Sequence, residues 1–467
     1  MLLPEKTLEA HDVFAGKLTM DDLETLIDFK TGRQKRIIYS DPDIYQLEME
    51  KIFGRCWLFL AHDCQIGNPG DFIRTFMGED EVLVVRQKDY SVKAFLNTCT
   101  HRGNRLCKAD HGNKKSFVCN YHGWGFGSDG KLNGVPLEAE AYYNKLDKSK
   151  YGLIEVAQLA CYKGLIFATF DKSAPSLEDY LGEMKWYLDI WLDAMPEGTE
   201  LIGTAMKVEL PINWKLPVEN VSGDGYHLGW AHAGAMTVSS SSKLTDMEVG
   251  NTSVDNSAAV SVAGLNGHAV LAALDGKSGY AFYPDPEIAE NYLGKNRENV
   301  IDRLGEYRGK NMWGSQINLT VFPNLQMLPG LNWFRVYHPK GPGKLEMWTW
   351  AMVDKEMPEG LKSMILNNVS RTFGPAGLFD NDDGDNLQAI TEQSRGWRTK
   401  QMDIYTNMAI GGEHSRKELP GVVSNGLICE QNQRYIYRRW QEMMRANNWS
   451  GIPTYNSLEE ARATEAG

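Results

Sequence analysis

Two short segments constrain this chain more than anything else in it: Cys99-Thr-His101 and Cys119-Asn-Tyr-His122, separated by residues 102–118. Each half supplies one thiolate and one imidazole. Together they can hold a [2Fe–2S] cluster in which two imidazoles replace two thiolates on one iron. The alternative is a zinc site, but zinc usually takes its cysteines as one close pair and its histidines as another. Here the two residue types are mixed within each half, which weighs against zinc. Gly103, Gly112, Gly123, Gly125 and Gly127 surround the four donors; glycine lets the backbone turn tightly and aim N–H groups at sulfur. Seven cysteines, an odd number scattered over 467 residues, do not form a disulfide scaffold. Cys56, Cys64, Cys107, Cys161 and Cys429 therefore read as packing residues.

A chain of this length suits two or three domains. Its net charge of −12 argues against a nucleic-acid partner, which needs a basic face. No apolar run approaches the ~18 residues of a membrane span. The start, MLLPEKTLEAHDVF, lacks the basic and apolar regions of a secretory signal, so the expectation is a cytoplasmic enzyme. Residues 42–62 carry helical apolar spacing (Ile44, Leu47, Ile52, Phe53) and then an aromatic run. From about residue 70 short alternating stretches follow, at Phe72–Phe76, Glu81–Arg86 and Ser91–Leu96, and this texture runs to about Phe170. Leu177–Met195 reads as one helix. Beyond it strands (Ile202–Leu210, Ile317–Met327, Trp333–His338, Lys344–Val353) mix with helices (about Pro286–Tyr307, Leu361–Phe373, Tyr435–Ala446). The pattern predicts a small β domain inserted into, or following part of, a larger α+β domain.

A second constellation lies in Glu219–His232, where His227, His232 and an acid fall within nine residues. Two histidines and one carboxylate on one face of an iron leave the other face open for O2 and substrate. Asp224 and His227 share a face if the stretch is helical. His227 and His232 are about 140° apart on a regular helix, and Gly229 between them loosens the turn. Further on, Phe373–Asn386 gathers Asp380, Asp382, Asp383 and Asp385. The residues alone do not choose among these four. A calcium loop fits loosely, but the twelfth position that needs Glu holds Thr391 or Gln393.

The first motif, followed by Gly123-Trp124, resembles that of Rieske non-haem iron aromatic ring-hydroxylating dioxygenase large subunits, of the naphthalene and biphenyl dioxygenase type. It departs from the respiratory-complex Rieske proteins, whose extra cysteines correspond to Asn104 and Tyr121 here. The likeness runs from about Gln46 to Trp440. It implies an α+β chain: an N-terminal segment (1–55) packing on the catalytic domain, a β-rich Rieske [2Fe–2S] domain (56–170), and a larger antiparallel-sheet, helix-grip (START-like) domain (171–467). On the resemblance Cys99, His101, Cys119 and His122 hold the cluster, and His227, His232 and Asp383 hold mononuclear Fe(II). Asp224 is then no ligand but a carboxylate that holds His227 and bridges to His122 of a neighbouring subunit. Asp380, Asp382 and Asp385 are left as solvated or capping carboxylates. The implied pocket is Asn220, Val221, Gln316, Asn318, Leu328, Phe373 and Phe379; it lacks the histidine that some naphthalene-type relatives place at the Gln316 position.

What the resemblance implies is dihydroxylation of a neutral mono- or polycyclic aromatic hydrocarbon to a cis-dihydrodiol. O2 is the oxidant, and electrons come from NAD(P)H through a reductase and ferredoxin. The assembly implied is an α3 homotrimer, or α3β3 with a small β subunit. Arg335 and Arg371 lie near the pocket segments, so a benzoate-, salicylate- or phthalate-like substrate is the alternative. A monooxygenase, or a Rieske electron carrier without oxygenase chemistry, are the other two.

Overall fold

The computed structural model describes residues 19–235, 259–280, 283, 285–453 and 455. Among these, Phe53–Leu177 form one compact unit and the remainder form another. In the first unit the alternating stretches become strands Asp71–Met77, Asp80–Arg86 and Val92–Leu96, joined to His111–Asn113 in a four-stranded antiparallel sheet. Two three-stranded sheets accompany it: Ser116–Val118, Gly125–Gly127 and Leu132–Gly134, then Leu58–His62, Leu165–Thr169 and Gln158–Tyr162. The aromatic run after residue 55 thus becomes a strand buried along its whole length. Phe72, Leu83, Val85, Phe95, Phe117, Trp124 and Phe126 make a core that includes Cys99, Cys107 and Cys119. Cys56 and Cys429 are buried as packing residues should be, but Cys64 and Cys161 are exposed, against expectation. Cys161 belongs to the strand Gln158–Tyr162, whose residues 158–160 are only partly buried.

The second unit is built on a nine-stranded antiparallel sheet. Its order is Thr199–Leu210, Leu345–Asp354, Trp333–Pro339, Leu325–Leu328, Ile317–Val321, Ala269–Ala273, Ala259–Ala263, Leu419–Asn425 and His414–Arg416. Four helices matter for the site: α1 (Lys215–Gly223), α2 (Glu359–Phe373), α3 (Leu378–Gln393) and α4 (Gln431–Arg445). Buried polar groups fix α1 over the sheet. Asn318 Nδ2 donates to the Val221 carbonyl (2.8 Å), Gln326 Nε2 to that of Val218 (2.9 Å), and Ser222 Oγ to Thr320 Oγ1 (2.8 Å). Asn432 of α4 donates to Ser222 of α1 and to Val270 of the sheet. The two helices touch where α1 ends. A Cβ on Gly223 would stand 2.7 Å from that of Asn432, so only glycine fits without a shift.

Three expectations change. The helix over Leu177–Met195 is two helices, Leu177–Leu181 and Met184–Leu192, parted at Gly182 with its φ of +50°. Ile317–Met327 is a hairpin turning through Phe322-Pro323-Asn324, because proline has no N–H to continue a ladder. The helix from Pro286 stops at Leu304, where Gly305 takes φ +88°, and Glu306–Asn311 forms a second one. No helix among the described residues is long and apolar enough to cross a membrane.

Of the N-terminal segment, residues 19–52 are stitched into the second unit, and residues 1–18 lie outside the described residues. Strand Arg33–Lys35 pairs with Asp403–Tyr405. The helix Pro42–Glu48 carries Glu48 into the interior, wholly buried, where it accepts from Lys215 Nζ (2.6 Å), Trp440 Nε1 (2.8 Å) and Trp214 Nε1 (2.7 Å). Removing one partner of such a pair strands the other charge. Glu48→Ala is expected to cost about 3–5 kcal/mol of stability, read from denaturant midpoints. Adding Lys215→Met should recover part of that loss; equal loss in the single and double variants would show that Lys215 was never charged.

Candidate metal centres and substrate cavity

The two cluster loops share one backbone plan. Cys99 N–H donates to the Asn104 carbonyl (2.8 Å) and Gly103 N–H returns to the Cys99 carbonyl (2.8 Å). Cys119 N–H donates to Trp124 (2.8 Å) and Gly123 N–H to Cys119 (2.9 Å), the same offsets of five and four residues. Gly103 and Gly123 sit at φ +72° and +74°, a left-handed turn that favours glycine. Each turn wraps N–H groups around its sulfur: those of His101 and Arg102 for Cys99, those of Tyr121 and His122 for Cys119. Asn104 Nδ2 adds a donor 3.6 Å from Cys119 Sγ. Burial pushes the Cys99 thiol up; it opposes the donors at Cys119 too, but there they win and hold the thiol down. Both sulfurs lie inside the core, whereas the imidazoles lie less deeply, with ring centroids 4.6 Å apart. His101 rests flat on Trp124, 4.6 Å away and 6° from parallel. Buried thiols in an N–H cradle, with paired imidazoles outside, suit a cluster whose two irons take different ligands.

The second centre forms where α1 ends. Asp224 follows the last residue of α1, and a one-turn helix, Leu228–Ala231, is bracketed by His227 and His232. The two histidines do not share a regular helix, so the 140° separation does not arise. Their Nε2 atoms are 3.1 Å apart, and Asp383 Oδ1, from α3, is 3.4 Å from one and 3.3 Å from the other. Three donor atoms thus converge within 4.8 Å. Two imidazoles and a carboxylate are the donor set of an iron with an open face. Asp224 Oδ1 accepts N–H groups from Tyr226 (3.0 Å) and His227 (3.1 Å) and lies 3.5 Å from His227 Nδ1. Burial opposes ionisation of Asp224, but the hydrogen bond and charge of His227 win and hold its carboxyl low; the same pairing raises His227 against burial.

Two neighbouring acids have roles that differ from expectation. Asp382 is neither a cap nor merely solvated: its Oδ2 is 3.3 Å from His232 Nδ1, so each histidine has a carboxylate behind it. Such a partner fixes ring orientation and tautomer. Asp380 is mostly buried against Arg335, whose guanidinium donates to both its oxygens (3.0 and 2.6 Å); burial raises the Asp380 carboxyl to about 6. Asp385 is exposed, as a solvated carboxylate should be. The spacing of four acids held no sign of Asp382's partner, because that partner is 150 residues away.

The cavity above this centre is lined by Asn220, Val221, Gln316, Asn318, Leu328, Phe373 and Phe379, together with Asp224, His227, His232 and Asp383. Sequence reasoning missed Leu228, Leu271, Ala273, Leu331, Trp333 and Leu427, each apolar and without a local signal. Phe373 and Phe379 stack at 5.4 Å, and Phe379 meets His232 edge-on. No lysine or arginine is among the described lining residues. Arg335 is committed to Asp380, Thr349 and the Phe373 carbonyl and lies 4.5 Å over Trp333. Arg371 is exposed and donates to Asn368.

Residues 56–162 match the Rieske [2Fe-2S] domain, and residues 177–446 match the catalytic domain of the ring hydroxylating alpha subunit. The large oxygenase component of the naphthalene 1,2-dioxygenase system of Pseudomonas aeruginosa is 40% identical over 420 residues, 89% of this chain and 92% of the relative. The benzene 1,2-dioxygenase alpha subunit of Pseudomonas putida is 37% identical, over 92% and 95%. A solved naphthalene 1,2-dioxygenase with indole in its active site superposes with a TM-score of 0.88 at 37% identity, covering 95% of this chain and 98% of that one.

Proposed function

This chain belongs to the ring-hydroxylating alpha-subunit family, and from that membership we propose that it dihydroxylates a neutral aromatic compound to a cis-dihydrodiol. The reaction joins the arene, O2, two electrons and two protons. The observation that carries this reading is the convergence of His227, His232 and Asp383 at a mainly apolar cavity with no lysine or arginine among its described lining residues. An aromatic carboxylate would need a paired cation in that wall, and Arg335 is already paired. The iron held by those three residues supplies O2 activation, and the cluster on Cys99, His101, Cys119 and His122 supplies single electrons. Asp224 and Asp382 orient the two imidazoles; Phe373 and Phe379 offer ring faces to the arene while the leucines exclude water. Turnover under labelled O2 tests the reading: both oxygens of the product should carry label. A single labelled oxygen would make this a monooxygenase.

The curated relatives are large components of multi-component systems. We read the electron donor here as a ferredoxin served by an NAD(P)H-dependent reductase, in the cytoplasm, with an α3 or α3β3 assembly. Around the cluster loops stand Arg102, Arg105, Lys108, Lys114, Lys115 and Lys131 in a chain of net −12. Arg105 pairs with Glu81 and Lys131 with Asp129, which leaves Arg102, Lys108, Lys114 and Lys115 as the steering charges. Reversing Lys114 and Lys115 to Glu should slow cluster reduction about tenfold at low salt and less at high salt. A rate independent of ionic strength in both proteins would remove the idea.

A further inference from the structure

The polarity of the cavity is uneven. Three amides line it: Asn220, Asn318 and Gln316. Asn318 is spent on the Val221 carbonyl, holding α1 to the sheet. Asn220 stands on α1 one turn before Asp224, whose N–H bonds the Asn220 carbonyl. The side-chain amide of Asn220, like that of Gln316, has no hydrogen-bond partner among the described residues; Gln316 differs in standing at the start of the strand Ile317–Val321 rather than on α1. Its backbone is fixed: its N–H donates to Ser278 Oγ (3.0 Å) and its carbonyl accepts from Ala273 N–H (3.0 Å). Two residues from Asn318 on an extended chain, it faces the same side of the sheet. Its side-chain amide has no hydrogen-bond partner among the described residues, and it is only partly buried. Beside it on the cavity wall Ala273 offers just a methyl group.

A bare hydrocarbon filling this cavity strips water from that amide and gives nothing back, which is costly for any desolvated polar group. An arene with a neutral hydrogen-bonding substituent restores the bond, since a carboxamide both donates and accepts. We propose that Gln316 is a specificity-determining residue that seats a neutral polar substituent, such as a hydroxyl group, so that the preferred substrate is a polar-substituted arene rather than the plain hydrocarbon. This rests on the arene reading above and adds to it the class of substituent and the residue that selects it.

The test compares 2-naphthol with 2-methylnaphthalene, a pair that differs by exchange of a hydroxyl for a methyl of similar size. Two readouts are taken on the full enzyme: kcat/KM for total product with a reconstituted donor chain, and Kd by anaerobic equilibrium dialysis without turnover. Wild type should favour the naphthol on the order of tenfold in both. Gln316→Met, of matching length, and Gln316→Leu should bring both ratios to about one, chiefly by weakening the naphthol. A ratio near one in wild type, or a preference that survives in Gln316→Met, overturns the assignment. If neither arene is converted, the reaction proposed above fails, while dialysis still decides whether Gln316 selects the hydroxyl.

Discussion

Asp224→Asn is expected to leave mononuclear iron bound and the cluster reducible, while product formation falls on the order of 100-fold. The substitution keeps shape and removes the charge. Among the described residues the contacts of the Asp224 carboxylate fall on Oδ1: two backbone N–H groups and His227 Nδ1. Oδ2 has no partner among the described residues, and the side chain is 35% exposed. One oxygen is thus committed to His227 and the other is open to a second donor. From the resemblance we propose that this donor is His122 of a neighbouring subunit, so that one carboxylate orients a ligand of each metal. Metal content, cluster reduction by dithionite and product yield must be measured together. Loss of iron in Asp224→Asn would reduce Asp224 to a support for His227. Mixing subunits is stricter: Cys99→Ser subunits with His227→Ala subunits should regain part of the activity that each homotrimer lacks. Mixed trimers that form but stay inactive would place the electron path within one subunit.

Cys99→Ser is expected to abolish the visible absorption and rhombic EPR signal of the cluster and to remove turnover altogether, with mononuclear iron retained. A serine hydroxyl is a poor substitute for a thiolate buried among N–H donors that the structure aims at sulfur. The second centre draws its three donors from after residue 177, so it has no covalent stake in Cys99. Iron analysis after cluster loss therefore separates the two sites. An intact spectrum in this variant would sink the Rieske assignment of the loop.

The cluster loops were legible in the sequence because their donors are local: each half-site closes on itself through hydrogen bonds four and five residues long. The second centre was half legible. His227 and His232 lie in one short stretch, but their carboxylate had to be chosen from four aspartates by resemblance. What sorts those aspartates is the distant partner each one meets: Arg335 for Asp380, His232 for Asp382, and the histidine pair for Asp383. Arg335 misled for the same reason, since its commitment to Asp380 cannot be seen locally. Strands Ala259–Ala263 and Ala269–Ala273 escaped notice because they are buried along nearly their whole length and rich in alanine. Ala269–Ala273 shows no alternation, and the alternation of Val260-Ser261-Val262 is too short to stand out among the alanines.

The buried Glu48 has a consequence for how the chain is made. It leaves the ribosome 392 residues ahead of Trp440, one of the three groups that enclose it. At ordinary elongation speeds that interval is roughly 20–80 s. Every residue of the cluster-binding unit, which ends at Leu177, is synthesised within it. The nascent chain therefore carries a complete set of cluster donors while the helix Pro42–Glu48 still waits for α4, which brings Trp440 to Glu48. Iron–sulfur loading can precede closure of the oxygenase unit around its own beginning.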